Sequence, residues 1–175
     1  MVDSSCSFTV QWNNNTDIKH LTTGQYLEVT NYKPTTIISS TGILAQLYCD
    51  IVGKLYDSII ITLPAIQHFK ASNKFFVVSD FPPAFQPNHF YITVTISSND
   101  IEGLQVDGSS ALCYRQTSSI MMSRESYTVL IVEISKGLHT ITQVNKVPFG
   151  LLINGKSIHE GYGYPAGFQF NNDVP

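Results

Sequence analysis

Charge is the scarcest property of this sequence. Lys, Arg, Asp and Glu supply 13% of the 175 residues, about half the share of an average soluble domain, and Ser, Thr, Asn and Gln fill the polar remainder. Such a surface is that of a secreted or cell-surface β protein. With a formal net charge of -3 and a pI near 5.9, the chain offers no basic field, so a phosphate backbone would release few counterions on meeting it. Nucleic acid is excluded as a partner. Long apolar runs are missing too: stretches such as residues 58–63 and 129–132 fall far short of the roughly 20 residues that a membrane helix needs. No membrane span is expected. The opening residues, MVDSSCSF, lack the basic and apolar regions of a signal peptide, and Met1 is read as the first residue of a fragment of a longer extracellular chain rather than as a cytosolic start.

The residue patterns of the common chemistries are also lacking. The five histidines are scattered, with no H-x-H pair and no H-E-x-x-H spacing, so no zinc site is expected. No Ser stands in a G-x-S-x-G elbow, and a Cys113–His139 pair would have to be assembled by the fold alone. Asp100, Glu102 and Asp107 are hard oxygen donors, but their spacing is not that of an EF-hand, and Asp107 reads as the first residue of a tight turn. The glycines of YGYPAG have no following Lys or helix to cradle a phosphate. The chain is therefore expected to be no enzyme, with no catalytic residue, cofactor or metal. Cysteine is odd in number. Cys6, Cys49 and Cys113 allow one internal bridge at most, or three reduced thiols; of the bridges, Cys49 with Cys113 is favoured, because Cys6 lies near a chain end.

Helical periodicity is hard to find, and what is present is β. Short apolar or alternating runs predict strands at 7–12, 25–30, 35–39, 43–48, 58–63, 74–78, 90–97, 104–106, 111–115, 127–134, 139–143 and 149–153. Asp107-Gly108 and Asn154-Gly155 are hairpin candidates, since only Gly, Asn and Asp take positive φ cheaply. Three prolines in residues 80–88, DFPPAFQPN, remove donors and fix φ, so no sheet interior can run through them. A weak repeat flanks that break. TTGQYLEV, TGILAQLY and PAIQHF precede it; SKGLHTIT, PFGLLING and PAGFQF follow it in the same order. The predicted fold is an all-β antiparallel β-sandwich of two packed units, residues 1–85 and 86–175, the first truncated at its N-terminus; one larger jelly-roll-like sandwich is the alternative. Under the repeat, strands 43–48 and 149–153 should occupy equivalent buried places.

Candidate binding residues are aromatic and C-terminal. Tyr162 and Tyr164 sit among glycines that let flat rings approach a partner, and Tyr combines large area with a polar tip. The same pattern would equally serve to close a sandwich edge. His159, in the loop before them, completes the candidate ligand set, with a solvated role as its competitor. His139, just after Gly137, is expected to bond a loop carbonyl. Asn14-Asn15-Thr16 is a glycosylation sequon, placing a candidate glycan on Asn14.

Assembled in order, these pieces resemble the extracellular domain named after the IgG Fc-binding protein. The resemblance rests on G-Q-Y-x-E-V with T-T-I-I-S-S (24–40), L-P-A-I-Q-H-F (63–69) and F-Y-I-T-V-T-I-x-x-x-D-I-E-G-L-Q-V-D-G (90–108). S-x-G-x-H-T-I (135–141) and F-G-L-L-I-x-G followed by Y-G-Y-P-A-G (149–167) complete it. It implies a secreted or surface module of a mosaic protein, acting in binding or adhesion. The expected function is accordingly a non-catalytic extracellular binding and adhesion module, taking a protein or a glycan through loops and aromatic surface. The alternative is a structural unit of a mucus or matrix protein that self-associates.

Overall fold

In a computed structural model, the protein is described over residues 6–12, 15–22, 24–30, 35–49, 58–78, 88–110, 116–122, 125–157 and 160–169. These residues form fourteen strands and two 3-10 turns, Ile66–His68 and Ile101–Gly103, with no α-helix among them. The strands are β1 (Cys6–Trp12), β2 (Asn15–Leu21), β3 (Thr36–Ser39), β4 (Gln46–Cys49), β5 (Ile59–Thr62), β6 (Ser72–Val77) and β7 (His89–Ser97). They continue with β8 (Leu104–Val106), β9 (Ser109–Ser110), β10 (Gln116–Met122), β11 (Glu125–Glu133), β12 (Gly137–Gln143), β13 (Gly150–Ser157) and β14 (Glu160–Ala166). Every pairing is antiparallel.

The fold is an antiparallel β-sandwich. A five-stranded sheet in the order β10-β11-β7-β13-β14 faces a four-stranded sheet in the order β6-β12-β8-β9. Alternation explains the layer between them, because successive side chains of a strand point to opposite faces. Ile92, Val94 and Ile96 of β7 align with Val132, Leu130 and Thr128 of β11, and the first two also with Ile153 and Leu151 of β13. Phe75 and Val77 of β6, Ile141 of β12 and Leu104 of β8 close the core from the other sheet, around a fully buried Phe149. Each such buried aliphatic side chain contributes about 1.5–3 kcal/mol. The four-stranded sheet takes β6 from before the Pro-rich stretch and β8, β9 and β12 from after it. The two flanks of residues 80–88 are thus joined by hydrogen bonds.

Two smaller sheets lie outside this core, β2-β1-β3 and β4-β5. Thr36 Oγ1 donates to Met121 O at 3.5 Å, which links β3 to β10. Ile59 and Ile61 of β5 pack on β14, where Gly163 offers no side chain and lets them reach the backbone. The repeated Pro-Ala segments meet in space. Phe69 and Phe168 form an antiparallel bridge, Gln169 N donates to His68 O at 2.9 Å, and His68 Nδ1 donates to Gln169 O at 2.8 Å.

Three expectations need correction. Asn154-Gly155 is no turn: both lie within β13, which runs on to Ser157 before β14 returns from Glu160. Gly155 is there because the Tyr162 ring lies across it, and a Cβ would overlap that ring. Strands 43–48 and 149–153 are not equivalently buried, since Phe149, Leu151 and Ile153 are inaccessible whereas Ile43, Leu44 and Tyr48 are exposed. Residues 25–30 form no strand and are exposed. The strand expected at 111–115 lies outside the described residues.

Candidate functional site

The aromatic residues singled out in the sequence stand on β14, an edge of the five-stranded sheet. Register places Tyr164 opposite Ile153 and Tyr162 opposite Gly155, so both rings point to the core side. They are half-buried, stacked on one another at 6.2 Å between centroids, and packed against the core. Their hydroxyls reach the other sheet. Tyr162 donates to Val78 O at 2.9 Å and Tyr164 donates to Phe76 O, so the two tips take up carbonyls at the open edge of β6. Burial pushes the Tyr162 phenol up to about 12, with a smaller contribution from neighbouring Tyr164, and burial raises Tyr164 as well. His159 lies outside the described residues, between β13 and β14.

His139 and Asp107 form a close titratable pair among the described residues. Asp107 has φ 50 and Gly108 φ 77, the left-handed conformations of the tight turn expected there. The turn is fastened to β12: Asp107 Oδ1 accepts from Thr140 N at 2.8 Å, and Oδ2 accepts from His139 Nδ1 at 2.6 Å. Its carboxyl is held below the usual range, first by the His139 hydrogen bond and then by the Thr140 amide. His139 Nε2 donates to Ser135 O at 2.9 Å, the loop carbonyl bond expected from the sequence. Both ring nitrogens are engaged within the fold, one by the Asp107 carboxylate and the other by the Ser135 carbonyl. Neither nitrogen is left to act as a base on a substrate, and the pair is a structural fastening.

A groove of about 650 Å³ opens at one end of the sandwich, assembled from segments far apart in sequence. Its apolar lining includes Ile66, Phe69, Val147 and Pro148 and its polar lining Asp100, Glu125 and Tyr127, with Met121 half-exposed. The loops beneath it are well tied. Ser98 N donates to Ser126 O at 2.8 Å, and the Ser98 hydroxyl meets Thr128 Oγ1 at 2.8 Å. Gln143, buried at the end of β12, joins the two flanking loops: its Nε2 donates to Asp100 O at 3.1 Å, while its Oε1 accepts from Asn145 N at 2.6 Å and Val147 N at 3.2 Å. Tyr127 donates to Glu125 Oε2 at 3.2 Å, and its phenol is raised by desolvation and then by that carboxylate. Among the described residues that line the groove there is no Lys, Arg or His.

Sequence reasoning missed this groove, whose one legible signal is Gln143, a polar residue in step with the buried His139 and Ile141. Of the other candidate residues, Asn14 and Cys113 lie outside the described ones. Cys49 ends β4 as a free, half-buried thiol whose pKa burial raises. No group of three metal-ligating side chains occurs among the described residues.

The family model described as IgGFc binding protein matches residues 3–155. The chain belongs to the IgGFc binding protein family. The family is one of extracellular-type, non-enzymatic binding domains, which points to an extracellular protein as partner. The whole described lining of the groove falls inside the matched stretch, whereas Tyr162 and Tyr164 follow it. No curated protein and no solved structure matches the chain. No described helix is long and apolar enough to cross a membrane.

Proposed function

We propose that this member of the IgGFc binding protein family is a non-catalytic, secreted binding and adhesion module that holds an extracellular partner at the groove end of its sandwich. The observation that carries the reading is the groove, an open concavity of about 650 Å³ lined by both apolar and polar side chains. Ligand sites are typically concavities of this size with a few placed polar groups, and loops on a sheet scaffold are where binding concentrates. Tyr162 and Tyr164 then serve as the clasp between the sheets rather than as the contact surface. Capture of extracellular-fluid proteins or glycans on the immobilised chain tests it. A partner retained by the wild-type chain and lost on Phe69→Ala with Tyr127→Ala supports the reading; retention unchanged by these substitutions contradicts it.

A second reading, a self-assembling structural unit of mucus or matrix, is favoured by the β4-β5 hairpin. Tyr48 and Ile60 pair directly across it on its outward face, 57% and 59% exposed. Adjacent exposed apolar residues of this kind mark association surfaces. Sedimentation of the chain over a range of concentrations separates the readings: self-association abolished by Ile60→Lys supports assembly, and a monomer throughout contradicts it. A glycan on Asn14 belongs to the secreted reading and is checked by the mass of the secreted chain before and after enzymatic deglycosylation.

A further inference from the structure

We infer that the groove receives an arginine side chain presented by an extracellular protein partner. The inference deepens the binding-module reading above and rests on it. Two carboxylates, Asp100 and Glu125, stand in the lining, and no described lining residue is cationic. Two carboxylates in the lining favour a cation, and the other lining side chains decide which one. Phe69 and Tyr127 present aromatic rings, and Met121 and Ile66 add apolar surface for an aliphatic stem. A guanidinium is planar and weakly hydrated, stacks on aromatic faces and pairs with carboxylates through several N–H groups, whereas an ammonium is compact and strongly hydrated. Tyr127 donates to Glu125 Oε2, which places its ring beside the carboxylate that the incoming group would meet. The loop carrying Asp100 is held through its backbone by Gln143 and Ser97, so its carboxylate is not used to build the loop.

The test is an amide-resolved NMR titration of the folded chain with the capped tripeptide acetyl-Gly-Arg-Gly-amide and its neutral citrulline counterpart. The arginine peptide is expected to shift amides at residues 97–100 and 125–127, with the citrulline peptide bound about fivefold or more weakly, as two partly exposed ion pairs would give. Asp100→Asn with Glu125→Gln should weaken the arginine peptide by a similar factor, and raising salt from about 0.05 to about 0.5 M should weaken it further. These isosteric changes leave the backbone bonds of the loop in place, and the same spectra report that the fold is kept. Equal binding of the citrulline peptide, no loss in the double variant, shifts elsewhere, or shifts produced only by a neutral oligosaccharide would each overturn the inference. Capture from extracellular fluid separates this failure from that of the broader reading. A partner held equally by the wild type and the double variant sinks the arginine site alone; one held by neither sinks the module as well.

Discussion

Two side-chain systems set how stability should respond to pH, and they act at opposite ends of the scale. The Tyr162 phenol is raised to about 12 in the folded protein by burial and by Tyr164, above the ordinary value near 10. A proton bound more tightly by the folded state stabilises it below the unfolded pKa, and that contribution disappears as pH rises through the folded one. Stability should therefore fall between about pH 10 and 12, and Tyr162→Phe should flatten this alkaline limb in thermal melts taken across that range. Asp107 has the reverse sign. Its pKa is lowered, so its contribution is full above the usual carboxylate range and is lost as pH falls through the depressed value. Asp107→Asn keeps a residue tolerant of positive φ but loses the charged bond to His139. It should cost about 1 kcal/mol at neutral pH and weaken the acid dependence of the melting temperature. His139 was legible as a carbonyl-bonded corner residue and Asp107 as a turn former, but their meeting was not, because thirty-two positions separate them.

Among the elements, β7, β11 and β12 were readable because β-branched residues alternate along them. Strand β14 was not. EGYGYPA carries two glycines and a proline, which weaken or interrupt most strands. They are tolerated because β14 is an edge strand, where Gly163 admits Ile59 and Ile61 on one face and the tyrosines turn to the other. Asn154-Gly155 misled for a related reason. Its local preference for a turn is overridden by nonlocal packing, the Tyr162 ring over Gly155. Gly155→Ala should displace that ring from its place above β13, costing about 1–3 kcal/mol as overpacking does and loosening the Tyr162 bond to Val78. Denaturant melts together with Tyr fluorescence measure both. An unchanged stability would show that the ring does not need the glycine. Polar β2 and β10, NTDIKHL and QTSSIMM, escaped notice because few of their residues are apolar.

At the scale of the whole molecule, the sandwich core and the ties across the Pro-rich stretch hold the scaffold that carries the groove. Proteolytic cleavage within residues 80–88 should leave the two pieces associated in gel filtration, because β6 pairs with β12 along six positions and β5 packs on β14. Separation of the pieces without denaturant would contradict this architecture. The groove could not be read from the sequence, since its lining comes from four separated stretches that only the β topology brings together. The most direct measurement of the account is hydrogen exchange of the chain with and without its captured extracellular partner. Protection is predicted at residues 97–100, 125–127 and 147–148, around the groove. Protection confined instead to the β4-β5 hairpin or to β14 would contradict the groove as the binding site.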